Sequence, residues 1–266
     1  MIRKLSLLPG LFARPLRATS HDLATLNVPE EVRKALKKTV PASMPACAPV
    51  LDVDSLLSMP APTSSQMFHD LAGNRYPCWL EGDENLGDDW LLADNYYPYY
   101  HRLYNFLGKS IEEPRLLEFG VRSGYSGLVF AKALQGKRVF YTGVDPNLYI
   151  PGGLEKAAST FRLLKAEGHL LDFFLLEGFS SSSAIQNSLK LSGPFHIIHV
   201  DGEHTYFGKL YDLWIARSLM AKGGFVLVDD FEHHGMISDS VKVALEMGWF
   251  TKFSYVPTKR GMAVLS

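Results

Sequence analysis

After Pro114 short apolar runs and helical stretches alternate without a break, and that rhythm constrains the fold more than any other feature of the 266-residue chain. The apolar runs lie at 115–119, 139–144, 171–176, 196–200 and 225–228. Each is followed by a stretch of helical spacing, at 126–134, 154–165, 182–190, 207–220 and 238–247. Runs this short and almost wholly apolar are strands buried on both faces. A helix after each one carries the chain back, so that the next strand lies parallel. The end breaks the pattern. Segments 250–256 and 261–265 are separated by Pro257-Thr258-Lys259-Arg260, which leaves no room for a helix, so they pair as an antiparallel hairpin. The expected fold class is α/β, with a parallel sheet that ends in an antiparallel hairpin.

What precedes this region is less regular. Residues 1–93 read as an N-terminal extension, an arm and linker that serves as lid or oligomerisation element, and 94–266 as the domain built on this sheet. The first twenty residues carry Arg3, Lys4, Arg14 and Arg17 and no acid, which suits a targeting segment or an interfacial helix. Pro9-Gly10 interrupts any single helix there, so a flexible or partner-contacting terminus is the expectation. A short helix with Pro29 in its first turn comes next, then an irregular arm over 40–65, rich in Pro, Ala and Ser. Segment 66–95 is mixed and contains Trp79 and Trp90. Segment 95–107, NYYPYYHRLYNFL, is dense in tyrosine and helical after Pro98; it reads either as a helix capping the sheet or as a lid over a ligand.

Composition excludes several classes. A net charge of -1, with no long basic run in the second half, argues against nucleic acid as partner. Two cysteines, Cys47 and Cys78, form neither a disulfide framework nor a metal motif, which suits a reducing cytoplasm. No apolar run approaches the roughly 20 residues that span a bilayer. A cytoplasmic homo-oligomer acting on a small molecule is the expectation.

In open α/β sheets, ligands bind beyond the carboxyl ends of the strands. The first strand ends in Glu118-Phe119-Gly120-Val121-Arg122-Ser123-Gly124, followed by Tyr125 and Ser126. Its E-x-G-x-x-x-G spacing lacks the G-x-G-x-x-G of a pyrophosphate loop and fits the amino-acid end of S-adenosylmethionine. The second strand ends in Asp145, placed to accept hydrogen bonds from ribose hydroxyls. The third leads into Gly178, Phe179 and Ser180, where Phe179 packs on adenine and Ser180 reaches a ring nitrogen; a serine-rich helix cap is the plainer alternative. The fourth ends in Asp201-Gly202-Glu203-His204, with Asp201 also bordering the cofactor, and the fifth in Asp229-Asp230. Three carboxylates at one rim repel unless something neutralises them, and a hard divalent cation is the economical answer. His204 beside them is a candidate general base, with a structural histidine as the alternative. His233 and His234, which follow the acid pair, read as a solvent-facing loop; as ligands they would favour manganese or iron over magnesium.

Together these residues resemble the metal-dependent branch of the class I S-adenosylmethionine methyltransferases. The likeness to the macrocin and macrolide-sugar O-methyltransferases is the nearest. It is carried by LLEFGVRSGYS, by VDGEHTYFGKLYDLWIARSLMAKGGFVLVDDF and by the lead-in YYPYYHRLYNFL. The resemblance covers roughly 94–266 and implies a Rossmann-like methyltransferase sheet with S-adenosylmethionine as cofactor. It implies cofactor contacts at Glu118, Gly120, Gly124 and Asp145, Mg2+ (or Mn2+ or another divalent metal) held by Asp201, Asp229 and Asp230, and His204 as base. Methyl transfer to a hydroxyl of a small molecule follows, with a nitrogen or carbon acceptor, or a cofactor-binding scaffold without turnover, as the competing readings. A nicotinamide-dependent oxidoreductase fits neither the glycine spacing nor the terminal hairpin.

Overall fold

The computed structural model describes residues 28–78, 96–148, 150, 152–233 and 235–266. The basic terminus, the tryptophan-bearing part of segment 66–95 and His234 lie outside those residues. Seven strands form one sheet: β1 (Arg115–Phe119), β2 (Val139–Asp145), β3 (Leu171–Glu177), β4 (Phe195–Val200), β5 (Met220–Val228), β6 (Phe253–Val256) and β7 (Met262–Leu265). Their order is β3-β2-β1-β4-β5-β7-β6. The first five are parallel, and β7 lies antiparallel between β5 and β6, as the short gap before it requires.

Alternation along the strands explains the layers. Successive side chains point to opposite faces of a strand. Leu116, Ile197, Leu227 and Val264 join one buried cluster, while Leu117, Ile198, Val226, Val228 and Leu265 join the other. The first face is covered by α4 (Tyr97–Gly108), α5 (Tyr125–Ala133) and α6 (Gly153–Ala166), the second by α7 (Ser183–Ser192), α8 (Tyr206–Leu219) and α9 (Gly235–Glu246). The tyrosine-dense segment is therefore a sheet-capping helix, with Tyr100, Leu103 and Tyr104 buried.

Two boundaries depart from the periodicity. Strand β5 starts at Met220, before the expected 225, because Met220 pairs with Phe195 and the register slips before Ile197. Gly223, at φ 75°, lies within this irregular start of the strand, in a backbone conformation that favours glycine. Strand β6 starts late because the amides of Thr251 and Lys252 donate to the carbonyl of Ser266, wrapping the C-terminus.

The segment before the sheet wraps both layers. Helix α1 (Glu30–Leu36) buries Val32 and Ala35 on the second face, while α2 (Val53–Ser58) and α3 (Ser64–Phe68) bury Leu56, Met67 and Phe68 on the first. The irregular arm is tied to the edge of the sheet. Phe253 donates its amide to Ala48, and the Ser254 hydroxyl oxygen accepts from the amides of Val50 and Leu51 at 2.9 and 3.2 Å. Replacing Ser254 with Ala leaves two amides without that acceptor, an expected loss of about 1–3 kcal/mol. Urea unfolding of Ser254→Ala checks this; an unchanged midpoint would mean the arm does not brace the sheet.

Candidate active site

The parallel register brings five strand ends to one rim. Phe119 lies opposite both Val144 and Val200, Val144 opposite Leu176, and Val200 opposite Val228. Backbone hydrogen bonds continue one step past the strands: Gly120 donates to Val144, Gly178 to Asp145, Asp201 to Phe119 and Asp229 to Val200. The residues singled out at each strand end thus form one row. Gly120 stands at φ 90°, and a Cβ there would sit 2.1 Å from the carbonyl oxygen of Asp201, so only glycine fits between the first and fourth strand ends. Gly124, at φ 88°, opens α5 where a Cβ would meet Ala157 at 2.7 Å.

Glu118 and Ser126 lie beneath this loop. Glu118 is buried and accepts hydrogen bonds from the hydroxyls of Ser126 and Tyr141, so both oxygens are engaged within the chain. The contact braces the loop against α5. Tyr125 stacks on Phe68, with centroids 5.1 Å apart, and meets Tyr100 edge-on. Asp145 is pinned where β2 ends: Oδ2 accepts from the Arg122 amide at 2.8 Å and Oδ1 from the Asn147 amide at 2.6 Å. Each oxygen keeps a second lone pair for a ligand hydroxyl.

Phe179 is 45% exposed beside Gly178, a large ring open to solvent at the rim. Ser180, read from the sequence as reaching an adenine nitrogen or as part of a helix cap, donates its hydroxyl to the buried Asp212 of α8. Burial pushes the Asp212 carboxyl up to about 6, against the pull of Ser180 and Lys209. Lys209, also fully buried, donates to the Val200 carbonyl at 3.3 Å.

The acids of the fourth and fifth strands divide. One ligand atom each from Asp201, His204 and Asp230 lie within 4.8 Å of one another. His204 Nε2 is 3.5 Å from Asp201 Oδ1 and 3.5 Å from Asp230 Oδ2. Asp229 was expected in this set, but its carboxylate lies on the α4 side and accepts from Tyr100; its Oδ1 is buried without a hydrogen-bond partner among the described residues. Burial, then the charges of Asp201 and Asp230, raise the Asp229 carboxyl above its ordinary range. Burial also opposes ionisation of Asp201, but the hydrogen bond from His204 and the nearby His199 hold it below that range. His199 sits between the two acid groups: Nδ1 is 2.9 Å from the Tyr104 hydroxyl and 3.5 Å from Glu118 Oε1. Its burial lowers the imidazole, yet Glu118 and the rim acids outweigh that and raise it. Arg260, in the hairpin turn, makes contacts to both oxygens of Asp230 at 3.2 Å. His233 is exposed.

Tyr100, Asp212 and Arg260 were not singled out from the sequence. Tyr100 lay in the tyrosine-dense helix, whose burial stripe was the available signal. Nothing in the sequence of a hairpin turn marks Arg260 as a neighbour of the acid that follows β5.

Seven strands in this order, with one inversion and a glycine loop at the switch point between β1 and β4, define the Rossmann-like fold of class I methyltransferases. Residues 117–231 match a family model described as a methyltransferase domain. The chain is 28% identical over 137 residues to the O-methyltransferase ankF of Aspergillus thermomutatus, covering 50% of this chain and 52% of that protein. It thus spans about half the length of the curated relative it matches. Among solved structures, it is similar to the S-adenosylhomocysteine-bound methyltransferase PaMTH1 of Podospora anserina (18% identity, TM-score 0.47, 63% of this chain and 77% of that one). It is also similar to the O-methyltransferase TomG of Streptomyces achromogenes, solved with S-adenosylmethionine (19% identity, TM-score 0.45, 63% and 78%). No helix among the described residues is long and apolar enough to cross a membrane.

The Asp212 environment predicts a pH signature. Its carboxyl titrates near 3.8 when solvated and about 6 when folded, so between those values the folded state binds more protons. Stability from this group therefore falls as pH rises from about 4 through 6. Asp212→Asn keeps an oxygen for Ser180 and removes the charge. The variant is expected to be more stable than the parent at pH 7.5, by on the order of 2–3 kcal/mol, and the gap should close by pH 4. Thermal melts at both pH values check it, and a gap independent of pH would contradict the assignment.

Proposed function

We propose that the protein is an S-adenosylmethionine-dependent O-methyltransferase that methylates a hydroxyl of a small molecule and uses a divalent cation. The observation that carries this reading is the shared rim: the Gly120–Gly124 loop, Asp145, Phe179 and the Asp201–His204–Asp230 cluster stand at adjacent strand ends. The amino-acid end of the cofactor would lie on the glycine loop, the ribose on Asp145 and the adenine against Phe179. Glu118 and Ser126 act one layer below, bracing that loop rather than touching the ligand. The O-methyltransferase named ankF supports oxygen as the acceptor atom. The methyltransferase unit is 94–266, with 28–78 as a brace around it.

The residues present fit a hard divalent cation. Two carboxylates and an imidazole converge, and Oδ1 of the neighbouring Asp229 is buried without a hydrogen-bond partner among the described residues. Oxygen donors suit Mg2+, and the imidazole makes Mn2+ at least as good a match. When bound at Asp201, His204 and Asp230, the cation would supply Lewis-acid lowering of the acceptor hydroxyl's pKa. One imidazole nitrogen serves one purpose at a time. With Nε2 on a cation, His204 orients it; without one, Nε2 is placed to take the hydroxyl proton, and the two flanking carboxylates would stabilise the imidazolium. Most of the rate would come from holding oxygen, methyl and sulfur in line, since the sulfonium is already electrophilic.

Calorimetric titration with S-adenosylhomocysteine, with Mn2+ or with chelator, tests the reading. Binding is expected in both conditions and should weaken at least about tenfold in Asp145→Ala, which loses the ribose acceptor. Asp230→Asn should keep cofactor binding and lose cation-stimulated turnover; asparagine tolerates the φ of 57° at this position. Absence of cofactor binding removes the proposal. Turnover indifferent to chelator and to Asp230→Asn removes the cation from it.

A further inference from the structure

The hairpin that closes the sheet carries a positive charge into the acidic rim. The Glu232 amide donates to the Arg260 carbonyl at 2.8 Å, and the Phe231 amide to the Gly261 carbonyl at 3.0 Å, so the turn after β6 is stitched to the loop after β5. Gly261 has φ 73°, and a Cβ there would meet Glu232 Cγ at 2.8 Å, which keeps the two segments close. Tyr255 adds a third tie through its hydroxyl to Glu232, at 2.7 Å. Arg260 Nη1 thereby stands 3.2 Å from both Asp230 oxygens, in an ion pair whose side chains are only 10% and 6% exposed. The same Oδ2 faces His204. Asp230 is held in the left-handed region, at φ 57°, which lifts it out of the strand toward these partners.

We propose that Arg260 is the resident counter-ion of the rim and competes with the divalent cation for Asp230, so that this residue sets how tightly the rim binds a cation. The inference rests on the cation reading above. The argument is one of lone pairs and charge. A guanidinium shared between both carboxylate oxygens occupies the directions a metal would use. A divalent cation arriving at Asp201 and His204 meets a buried positive charge a few ångströms away, and in a poorly solvated site that repulsion is weakly screened. The ion must displace Arg260 from one oxygen or share Asp230 with it. In the absence of a cation, Arg260 offsets the mutual repulsion of Asp201, Asp229 and Asp230, and it does so from a rigid turn. Removing its charge leaves the acids uncompensated, a state that a divalent cation would relieve.

The test uses Mn2+ alone, without cofactor or acceptor, on the full chain and its Arg260→Met and Arg260→Lys variants. Free Mn2+ is followed by electron paramagnetic resonance, and melting temperature is read across the same titration. Arg260→Met is expected to bind Mn2+ at least tenfold more tightly than the parent. It should melt lower than the parent without Mn2+ and recover more of its melting temperature with it. Arg260→Lys, a single point charge on a flexible stem, should fall between the two. If the parent binds Mn2+ and Arg260→Met binds it equally or less tightly, this inference fails and the cation reading stands. If neither takes up Mn2+, the cation reading falls and takes this one with it. Should Arg260→Met not fold, the lysine variant decides: an affinity equal to the parent's overturns the competition.

Discussion

The site depends on the register of five parallel strands. Because Phe119, Val144, Val200 and Val228 lie level, the next residue of each chain emerges at the same height and hydrogen-bonds across to its neighbour. A one-residue slip in any pair would turn its rim side chain to the other face. The register also sets the distance between the first and fourth strand ends, which is so short that the Asp201 carbonyl fills the space where Gly120 would carry a side chain. Residues far apart in the sequence become one continuous edge without any long loop reaching inward. The two buried clusters on either side hold that edge flat and exclude water from below it.

An edge built this way concentrates negative charge, and each buried acid is settled by a different partner. Glu118 takes two hydroxyl donors, Asp145 two backbone amides, Asp229 a tyrosine and Asp230 an arginine. Burying a carboxylate without such partners would be prohibitive. The differences among the partners are informative. Amides and hydroxyls fix Asp145 and Glu118 in place for good. Around Asp201 and Asp230 the partners are instead the ionisable side chains His204 and Arg260.

The strands, the hairpin and the position of a candidate residue just past each strand end were legible in the sequence because burial on both faces writes a short apolar run and because a rim residue follows it directly. The partition of Asp229 from Asp230 was not. Adjacent strand residues point to opposite faces, so two acids in succession cannot both turn the same way. Leu227 packs on the first face and Asp229, two residues on, follows it toward Tyr100, whereas Asp230 leaves the strand at φ 57° and joins the rim. A positive φ at aspartate carries no marker in a single sequence. Ser180 shows a similar limit. Its place after β3 was readable, but the Asp212 that claims its hydroxyl lies 32 residues away on another element. Arg260 belongs to the same group: its role comes from two segments stitched by backbone amides, a contact with no sequence periodicity.

The tyrosine-dense helix resolves in the same terms. Its position on the first face makes it a cap, yet the residues it covers are the polar ones that follow Leu116, Ile197 and Leu227 at a spacing of two: Glu118, His199 and Asp229. Glu118 and His199 stand opposite each other and Asp229 lies two residues past the level of His199 on the neighbouring strand, where an apolar cap would leave three ionisable groups unsolvated. Tyrosine answers both demands, since its ring packs and its hydroxyl bonds. Tyr104 reaches His199, Tyr100 reaches Asp229 and lays its ring edge against His199 with centroids 5.2 Å apart, and Glu118 meets Tyr141 and Ser126 from the sheet side. One polar network therefore runs from the brace under the glycine loop to Asp229, the acid next to Asp230. The density of tyrosine in α4 is the imprint of that buried row of charge, which a lid facing solvent would have no reason to carry.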